Sequence, residues 1–550
     1  MSQDSKQVKG MQTEYSNKIG LYSNKTQSFI SQINDVVINF PFKDCILEAG
    51  MTKEDKKSRE ERFLLQKTDT GDIDTLFDEK VLTNFKLINE QGEKPLTKDD
   101  DIEFFDENGE LAQNLLIKGN NLLALHTLKS KLAGKVKLIY IDPPYNTGND
   151  SFTYNDNFNH STWLVFMKNR LEVAKDLLRD DGVIFVQCDD NEQAYLKVLM
   201  DEIFGRENFV NTIVWRKTDN QANIGQIARV KEYIILFSKN IHSLKLNKIN
   251  LSEKAIKEYR YSDEKGKFRR AILLDKTRGR HTYDVKTRSN KILNGPWMIT
   301  QENFLELDKG NEIYWTTSGD EQPYGKIYLH ESNGQIPNDF WNIEGGTNQQ
   351  AGLHLEELFQ ERKFDFPKPE LLLKRIIEIA TQENDIILDY HLGSATTCAV
   401  AHKMNRRYIG IEQMDYIEYI SKVRLQKVIE GEQGGISKAV NWNGGGSFIY
   451  LELKKYNQEY IEQITQANSK EELNEVYKQM QLNAFLQFWF HKKDFESEEG
   501  YKSLDLETQK IKLLEILDEN QLYFNKDEMN DEKHNVSDDE KALTQRFYDE

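Results

Sequence analysis

Short apolar runs alternate with stretches of helical periodicity along most of this chain, and the most restrictive of those runs ends in two prolines. Val136-Lys137-Leu138-Ile139-Tyr140-Ile141 reads as a buried strand, and Asp142-Pro143-Pro144 stops it abruptly because neither proline can donate to a sheet ladder. Leu164, Met167, Leu171, Ala174 and Leu178 then recur at helical spacing, and Asp181-Gly182 is expected to close that helix before a strand at Val183–Cys188. A helix near Gln193–Ile203 and strands at Phe209–Trp215 and Tyr233–Ser238 extend the rhythm. It lapses between 241 and 365 and returns as helix Glu370–Thr381, strand Ile386–Tyr390, helix Thr396–Met404, strand Tyr408–Glu412 and a long helix from Asp415 to Glu430. Such alternation predicts an α/β fold with a doubly wound, mostly parallel sheet.

The lapse reads as an inserted domain over 241–365, which divides the core into a first half at 111–240 and a second at 366–455. Residues 1–110 are polar, with a weak apolar period around Phe29–Phe42 and an acidic run at Lys98–Glu103, and are expected to form an N-terminal arm with some helix. Residues 456–550 read as a helical, acidic C-terminal region in which Ser537-Asp538-Asp539-Glu540 has the pattern of a capping box. A chain of 550 residues that is 38% hydrophobic is neither a peptide-scale module nor wholly disordered. No apolar run approaches the length a membrane helix needs, and MSQDSKQVKG is polar with no apolar segment behind it, so a cytoplasmic protein without membrane association is expected. Cys45, Cys188 and Cys398 are too few and too scattered for a disulfide framework or a zinc knuckle, and no metal is expected.

The net charge of −18 argues against a polyanionic partner until its distribution is considered. Residues 241–291 hold fifteen Lys or Arg against six Asp or Glu, so a basic segment stands inside an acidic chain. A solvated surface and an anion-facing one both fit that charge alone. Aromatic residues are interleaved with it, in Tyr259-Arg260-Tyr261, Phe268-Arg269-Arg270 and Arg278-Gly279-Arg280-His281, a mixture suited to base and phosphate contact. Arg269, Arg270, Arg278 and Arg280 are the candidate residues for that contact.

Two strand ends carry the chemistry. Asp142-Pro143-Pro144-Tyr145 sits where open α/β sheets place ligands, and a carboxylate with a free carbonyl can accept both hydrogens of an amino group on a flat heterocycle while a tyrosine stacks on its ring. A Pro-rich turn with a surface acid is the plainer alternative. The second end runs Ile386-Ile387-Leu388-Asp389-Tyr390-His391-Leu392-Gly393-Ser394-Ala395-Thr396-Thr397, a strand, a small-residue turn and a helix start, and Tyr408-Ile409-Gly410-Ile411-Glu412 then ends another strand in an acid. Acids so placed hold ribose hydroxyls in nucleotide-like ligands. A dinucleotide site is the chief competitor, although no G-x-G-x-x-G follows Asp389.

Together these residues resemble the S-adenosylmethionine-dependent amino-methyltransferases of DNA in which the catalytic motif precedes the cofactor motif. More narrowly, the chain resembles the modification subunit of type III restriction-modification systems, through Ile117–Leu125, Asp142–Asn149, Gly182–Glu192, Phe366-Pro367-Lys368-Pro369-Glu370, Leu522-Tyr523-Phe524 and Arg546-Phe547-Tyr548. The resemblance implies transfer of a methyl group to N6 of an adenine flipped out of double-stranded DNA. It makes Asp142, Pro143, Pro144 and Tyr145 the catalytic grip on the base, with Asp142 also bordering the cofactor. Asp389, Leu392, Gly393, Ser394, Ala395, Thr396 and Thr397 would border the methionine part of S-adenosylmethionine, Glu412 its ribose, Asn120 and Asn121 its adenine, and Lys368 and Pro369 the far wall. Departures from the family pattern are His391, Leu392 and Ala395 in the cofactor turn and Asn120 where an acid is frequent.

The same resemblance makes the insertion a target-recognition domain and implies a homodimer that recruits an ATP-dependent restriction (Res) subunit. Apolar residues at helical spacing in the tail, Leu506, Ile511, Leu514, Ile516 and Leu517, suit either such an interface or packing against the chain's own core. Rival readings are a methyltransferase acting on cytosine N4, RNA or a protein amide, and a DNA-recognition subunit without catalysis.

Overall fold

The computed structural model describes residues 38–47, 77–147, 159–220, 226–317, 321–342, 345–455, 458–483, 504–519, 523–531 and 536–549, with short pieces at 22–23, 28–29, 63–65 and 501. The chain divides into two compact units, one of residues 1–244, 340–374 and 382–550 and the other of 245–339 with 375–381.

The first unit is built on an eleven-stranded sheet. Its strands in chain order are β1 (Leu82–Asn89), β2 (Gly92–Pro95), β3 (Leu115–Lys118), β4 (Val136–Ile141), β5 (Leu178–Cys188), β6 (Phe209–Arg216), β7 (Lys231–Ser238), β8 (Phe340–Trp341), β9 (Ile386–Asp389), β10 (Arg407–Glu412) and β11 (Phe448–Leu453). Their spatial order is β8-β6-β7-β5-β4-β9-β10-β3-β11-β1-β2. From β5 to β11 every pairing is parallel, whereas β7 runs antiparallel to both β5 and β6, and β1 runs antiparallel to β11 and β2. The result is the mostly parallel sheet of a doubly wound α/β fold.

The central strands are buried end to end, which is why they read as continuous apolar runs. Lys137 is tolerated inside β4 because its ammonium bonds the carbonyl of Asp181 at 2.6 Å and its carboxylate at 2.9 Å. Helices α1 (Asn121–Leu132), α2 (His160–Leu177), α3 (Gln193–Phe204), α4 (Asn348–Phe359), α5 (Glu370–Ala380), α6 (Thr396–Lys403) and α7 (Lys422–Ile429) connect them. Leu164, Met167, Leu171 and Ala174 form the buried side of α2.

Several expectations are corrected. Helix α2 ends at Leu177, and Asp181-Gly182 belongs to a bulge in β5 between the pairs Val136↔Leu178 and Leu138↔Val183. A Cβ at Gly182 would lie 2.9 Å from the carbonyl oxygen of Val136, so only glycine fits there. The helix expected from Asp415 opens instead with a wide π-helical turn over Ile417–Ser421. Residues 82–95 are not part of an arm: they form the hairpin of β1 and β2 at one edge of the main sheet. The stretch around Phe29–Phe42 lies largely outside the described residues. The inserted segment closes at 339 rather than 365, because Phe340–Trp341 pairs with β6 and α4 follows within the first unit. All three cysteines are free and buried.

The second unit has its own four-stranded antiparallel sheet, in the order Tyr261–Asp263, Gly266–Ile272, Pro323–Tyr328, Ile313–Trp315. Leu273, Val285, Trp297, Phe304 and Ile313 supply a small core. Arg270 lies over Tyr261 and Tyr324, 4.7 and 4.6 Å from the ring centres. Arg269 lies 5.8 Å from the Tyr259 ring centre, Arg278 pairs with Asp275 at 2.7 Å, and Arg280 is exposed.

In the C-terminal region, α8 (Gln458–Gln466), α9 (Lys470–Asn483) and α10 (Leu506–Glu519) share an apolar cluster centred on Ile464, Leu473, Met480 and Leu513. Leu506 and Leu514 pack against that cluster, whereas Ile511 is 55% exposed. The side chains of Ile516 and Leu517 lie outside the described ones. Helix α11 (Asp538–Asp549) begins with the expected capping box: Glu540 N–H donates to Ser537 Oγ at 3.2 Å, and Ser537 N–H to the Glu540 carboxylate at 2.7 Å. Among the described residues no helix is long and apolar enough to cross a membrane.

Candidate active site

The carboxyl ends of β4, β9 and β10 meet at one cavity of about 380 Å³. Because β9 pairs in parallel with both β4 and β10, Asp142, Asp389 and Glu412 leave the sheet at the same edge, although they lie far apart in sequence. Pro143, Pro144, Tyr145, Lys368, Leu392, Gly393, Ser394, Thr396 and Thr397 also line the cavity. Asn120, Asn121, Pro369 and Ala395 are not among its lining residues. Asn120 caps α1 through its side-chain oxygen, which accepts from Leu122 N–H at 3.0 Å, and its own N–H donates to the Tyr523 hydroxyl at 3.0 Å. Asn121 braces the turn after β9, donating to the Tyr390 carbonyl at 2.8 Å and accepting from Arg170 at 2.7 Å.

At the Asp142 end, one carboxylate oxygen accepts the Tyr145 hydroxyl and the other accepts the Lys368 ammonium at 2.5 Å. The Trp163 indole N–H takes the Pro144 carbonyl at 2.8 Å and fixes the turn. Beside them lies a residue that sequence reasoning missed, Glu232 on the antiparallel strand β7. It accepts from Gln187 at 2.6 Å, from Lys217 at 3.0 Å and from the Tyr145 hydroxyl at 3.2 Å. A charged residue at the start of the apolar strand Tyr233–Ser238 was the available signal, since a buried acid in a strand needs partners.

Burial raises the Asp142 carboxyl, with Lys368 opposing and Glu232 adding to the rise. Burial works against the charged forms of Lys368 and Glu232 as well. Asp142 and Glu232 nevertheless hold the Lys368 ammonium above the usual lysine value, and Lys368 and Lys217 hold Glu232 below the usual carboxylate value.

The turn after β9 is shaped by backbone as well as by side chains. Gly393 and Ala395 both have left-handed conformations, with φ of 53° and 60°, and Ala395 adopts at a cost what a glycine would adopt freely. Asp389 accepts the His391 N–H at 3.0 Å and the Thr397 hydroxyl at 2.6 Å, and burial pushes its carboxyl up to about 7. Burial also raises Glu412, against hydrogen bonds from Met414, Tyr416, Gly393 and Gln413. Burial and the nearby Arg170 keep the His391 ring neutral. Behind the turn, Arg424 donates to the Ser394 carbonyl at 3.1 Å and to Thr396 at 2.7 Å, and pairs with the buried Glu370 at 3.0 Å.

The donor set fits an elongated ligand with cationic and hydroxyl groups. Asp389 and Glu412 supply two buried carboxylates on one wall, and His391 Nε2 and Asn348 Oδ1 are buried without a hydrogen-bond partner among the described residues. Phe364 and Tyr416, packed edge to face with ring centres 5.3 Å apart, add apolar surface.

Residues 136–423 match a family model described as DNA methylase. The Haemophilus influenzae protein described as "Probable type III restriction-modification enzyme HindVI Mod subunit" is 37% identical over 99% of this chain and 89% of its own length. The type III restriction-modification enzyme StyLTI Mod subunit of Salmonella typhimurium is 32% identical over 54% of this chain and 50% of its own. Among solved structures, the cytosine-N4-specific PvuII DNA methyltransferase is 13% identical over 60% of this chain and 92% of its own, with a TM-score of 0.35.

Proposed function

The chain belongs to the DNA methylase family that includes the type III Mod subunits, and we propose that it transfers a methyl group from S-adenosylmethionine to N6 of an adenine flipped out of duplex DNA. The observation that carries this reading is the shared cavity: Asp142-Pro143-Pro144-Tyr145 at one strand end opens into the same space as Asp389 and Glu412 at two others.

S-adenosylmethionine, when bound, supplies an activated methyl group on sulfur. The chain's residues bind and aim the two reactants. Asp389, held near 7, is placed to take the cofactor's ammonium, and the Gly393-Ser394 turn lets backbone approach closely. The Glu412 end of the wall suits ribose hydroxyls. Asp142 and the Pro143 carbonyl accept the two amine hydrogens of the base, since the Pro144 carbonyl is occupied by Trp163. That pairing aligns the amine lone pair for in-line attack and stabilises the positive charge that develops on nitrogen. Tyr145 offers the stacking face that offsets extrusion of the base. The amine proton leaves after transfer.

As a Mod subunit the chain reads its own site through the second unit's basic, aromatic surface, works in the cytoplasm, forms a homodimer and pairs with a Res subunit. Incubation with methyl-labelled S-adenosylmethionine and duplex DNA, followed by mass spectrometry of the nucleosides, tests the reaction. N6-methyladenine is expected. N4-methylcytosine would redirect the reading to the other amine, and label in RNA or protein alone would refute it.

A further inference from the structure

Asp142 is spoken for before any base arrives. Its two oxygens accept the Tyr145 hydroxyl and the Lys368 ammonium, and the ammonium at 2.5 Å makes the same demand on the carboxylate that an amine N–H of a base would make. An ammonium left there would also oppose the positive charge that develops on the attacking nitrogen, in a cavity whose walls screen poorly. A second carboxylate stands ready for it: Glu232 Oε2 lies 4.0 Å from Lys368 Nζ, and the Glu232 side chain is only 4% exposed. Lysine suits such a move, since its charge sits on a flexible stem with three rotatable donors.

Resting on the reading of Asp142 as the amine acceptor, we propose that Lys368 is a movable stand-in for the substrate amine, and that Glu232 is the positioning residue that receives its ammonium when the base enters. The exchange is a change of hydrogen-bond partner, with no covalent step. On Glu232 the ammonium would join Gln187 and the Tyr145 hydroxyl at Oε2, while Lys217 keeps Oε1. In the resting protein the same ammonium counters the rise that burial imposes on the Asp142 carboxyl.

The test is single-turnover methyl transfer at saturating cofactor, across pH, with Glu232→Gln, Lys368→Met and the double variant. The charged and titratable groups that line the cavity around Asp142 are Lys368, Glu232, Lys217, Tyr140, Tyr145, Asp189, Asp365, Asp389, His391, Glu412 and Tyr416. Glu232→Gln leaves Lys368 no receiving carboxylate and should slow transfer about tenfold or more, with cofactor affinity within about threefold of wild type. Lys368→Met should move the acid limb of the profile up by about one pH unit, because Asp142 then has no positive neighbour at hydrogen-bond distance. In the double variant the competitor and its receiver are both gone, so the plateau should return to within about threefold of Lys368→Met.

A double variant as slow as Glu232→Gln would make Glu232 merely structural and overturn the proposal, as would wild-type speed in Glu232→Gln. If Glu232→Gln does not fold, Lys368→Met decides alone: an acid limb that stays at its wild-type position overturns the proposal. A wild-type chain that methylates no DNA overturns the functional reading itself, and that outcome is distinct from all of these.

Discussion

The backbone N–H of Gly393 donates to the Glu412 carboxylate at 3.1 Å, so the turn that follows one strand is held by the acid that ends the next. The same carboxylate accepts the Tyr416 hydroxyl at 2.8 Å and the N–H groups of Gln413 and Met414 at 2.9 and 3.1 Å. A residue expected to serve a ribose is therefore first a brace for the small-residue turn, and a ligand hydroxyl must share oxygens that already have donors.

Glu412→Ala should therefore lose both cofactor affinity and stability, since it leaves several buried donors unpaired at about 1–3 kcal/mol each. Glu412→Gln keeps acceptor capacity on one atom and should fall between. Calorimetric titration with S-adenosylmethionine and thermal melts on both variants check this; an Ala variant with normal affinity would remove Glu412 from the cofactor site.

The three acids at the strand ends were legible because parallel, doubly buried strands read as apolar runs, and a charged residue that closes such a run marks the ligand-bearing edge. Glu232 and Lys217 were not legible as site residues, because their approach to Asp142 depends on the antiparallel placement of β7 between β5 and β6. The strand β1 is hidden for another reason. Leu82-Thr83-Asn84-Phe85-Lys86-Leu87-Ile88-Asn89 lies toward a sheet edge, partly exposed and with polar residues between the apolar ones, so composition hides it. Asn120 and Asn121 were found as a motif, but spacing alone does not reveal that one caps a helix and the other braces a turn from behind.

Asp142→Ala should abolish methyl transfer and leave cofactor affinity within a few-fold, because the proposed reaction assigns Asp142 to the base amine and Asp389 and Glu412 to the cofactor. Tyr145→Ala should cost turnover by the roughly 1–3 kcal/mol of a stacked base, and Tyr145→Phe should cost less. Rapid-quench kinetics separate these from binding. Equal loss of binding and catalysis in Asp142→Ala would argue against the division of labour.

Asp389, raised to about 7 by burial, is largely protonated in the unliganded protein at pH 6. An ammonium ligand favours the ionised carboxylate, so cofactor binding at about pH 6 should release a proton and affinity should climb until about pH 7.5. The sign for folding is opposite. A carboxyl whose folded value exceeds its unfolded value binds more protons when folded, so its contribution to unliganded stability falls as pH rises from about 4 to about 7. Calorimetry in buffers of different ionisation enthalpy reads the proton, and Asp389→Asn should flatten both dependences.

Neutralising Arg269, Arg270, Arg278 and Arg280 together should weaken DNA binding and reduce its salt slope by about 0.9 for each phosphate that these side chains neutralise. Arg278 is oriented by Asp275 and Arg270 by its tyrosines, so single variants should not be equivalent. Anisotropy titrations over a salt series measure the slope, and methylation mapping of the singles identifies any that reads a base. No change in either would leave the basic segment a solvated surface.

The C-terminal region sets the terms on which dimerisation can be tested. Phe547 of α11 packs edge-on against Phe104 and Phe105, with ring centres 5.3 and 5.4 Å apart. Thr544 exchanges hydrogen bonds with the backbone of Leu82 at 3.0 and 3.1 Å, and Arg546 holds the Asp100 carbonyl at 2.7 Å. Helix α11 is thus part of the main core, and Phe547→Ala should cost about 3–5 kcal/mol of stability. Cutting the chain after 490 would remove α11 along with α10, so a monomer produced that way would report a damaged core. The exposed Ile511 on α10 is the better probe. If α10 forms the dimer interface, Ile511→Glu should leave the far-ultraviolet circular dichroism unchanged while light scattering shows a dimer at micromolar concentration for wild type and a monomer for the variant, with impaired site-specific methylation. A wild-type monomer that methylates its site at full rate would refute the dimer.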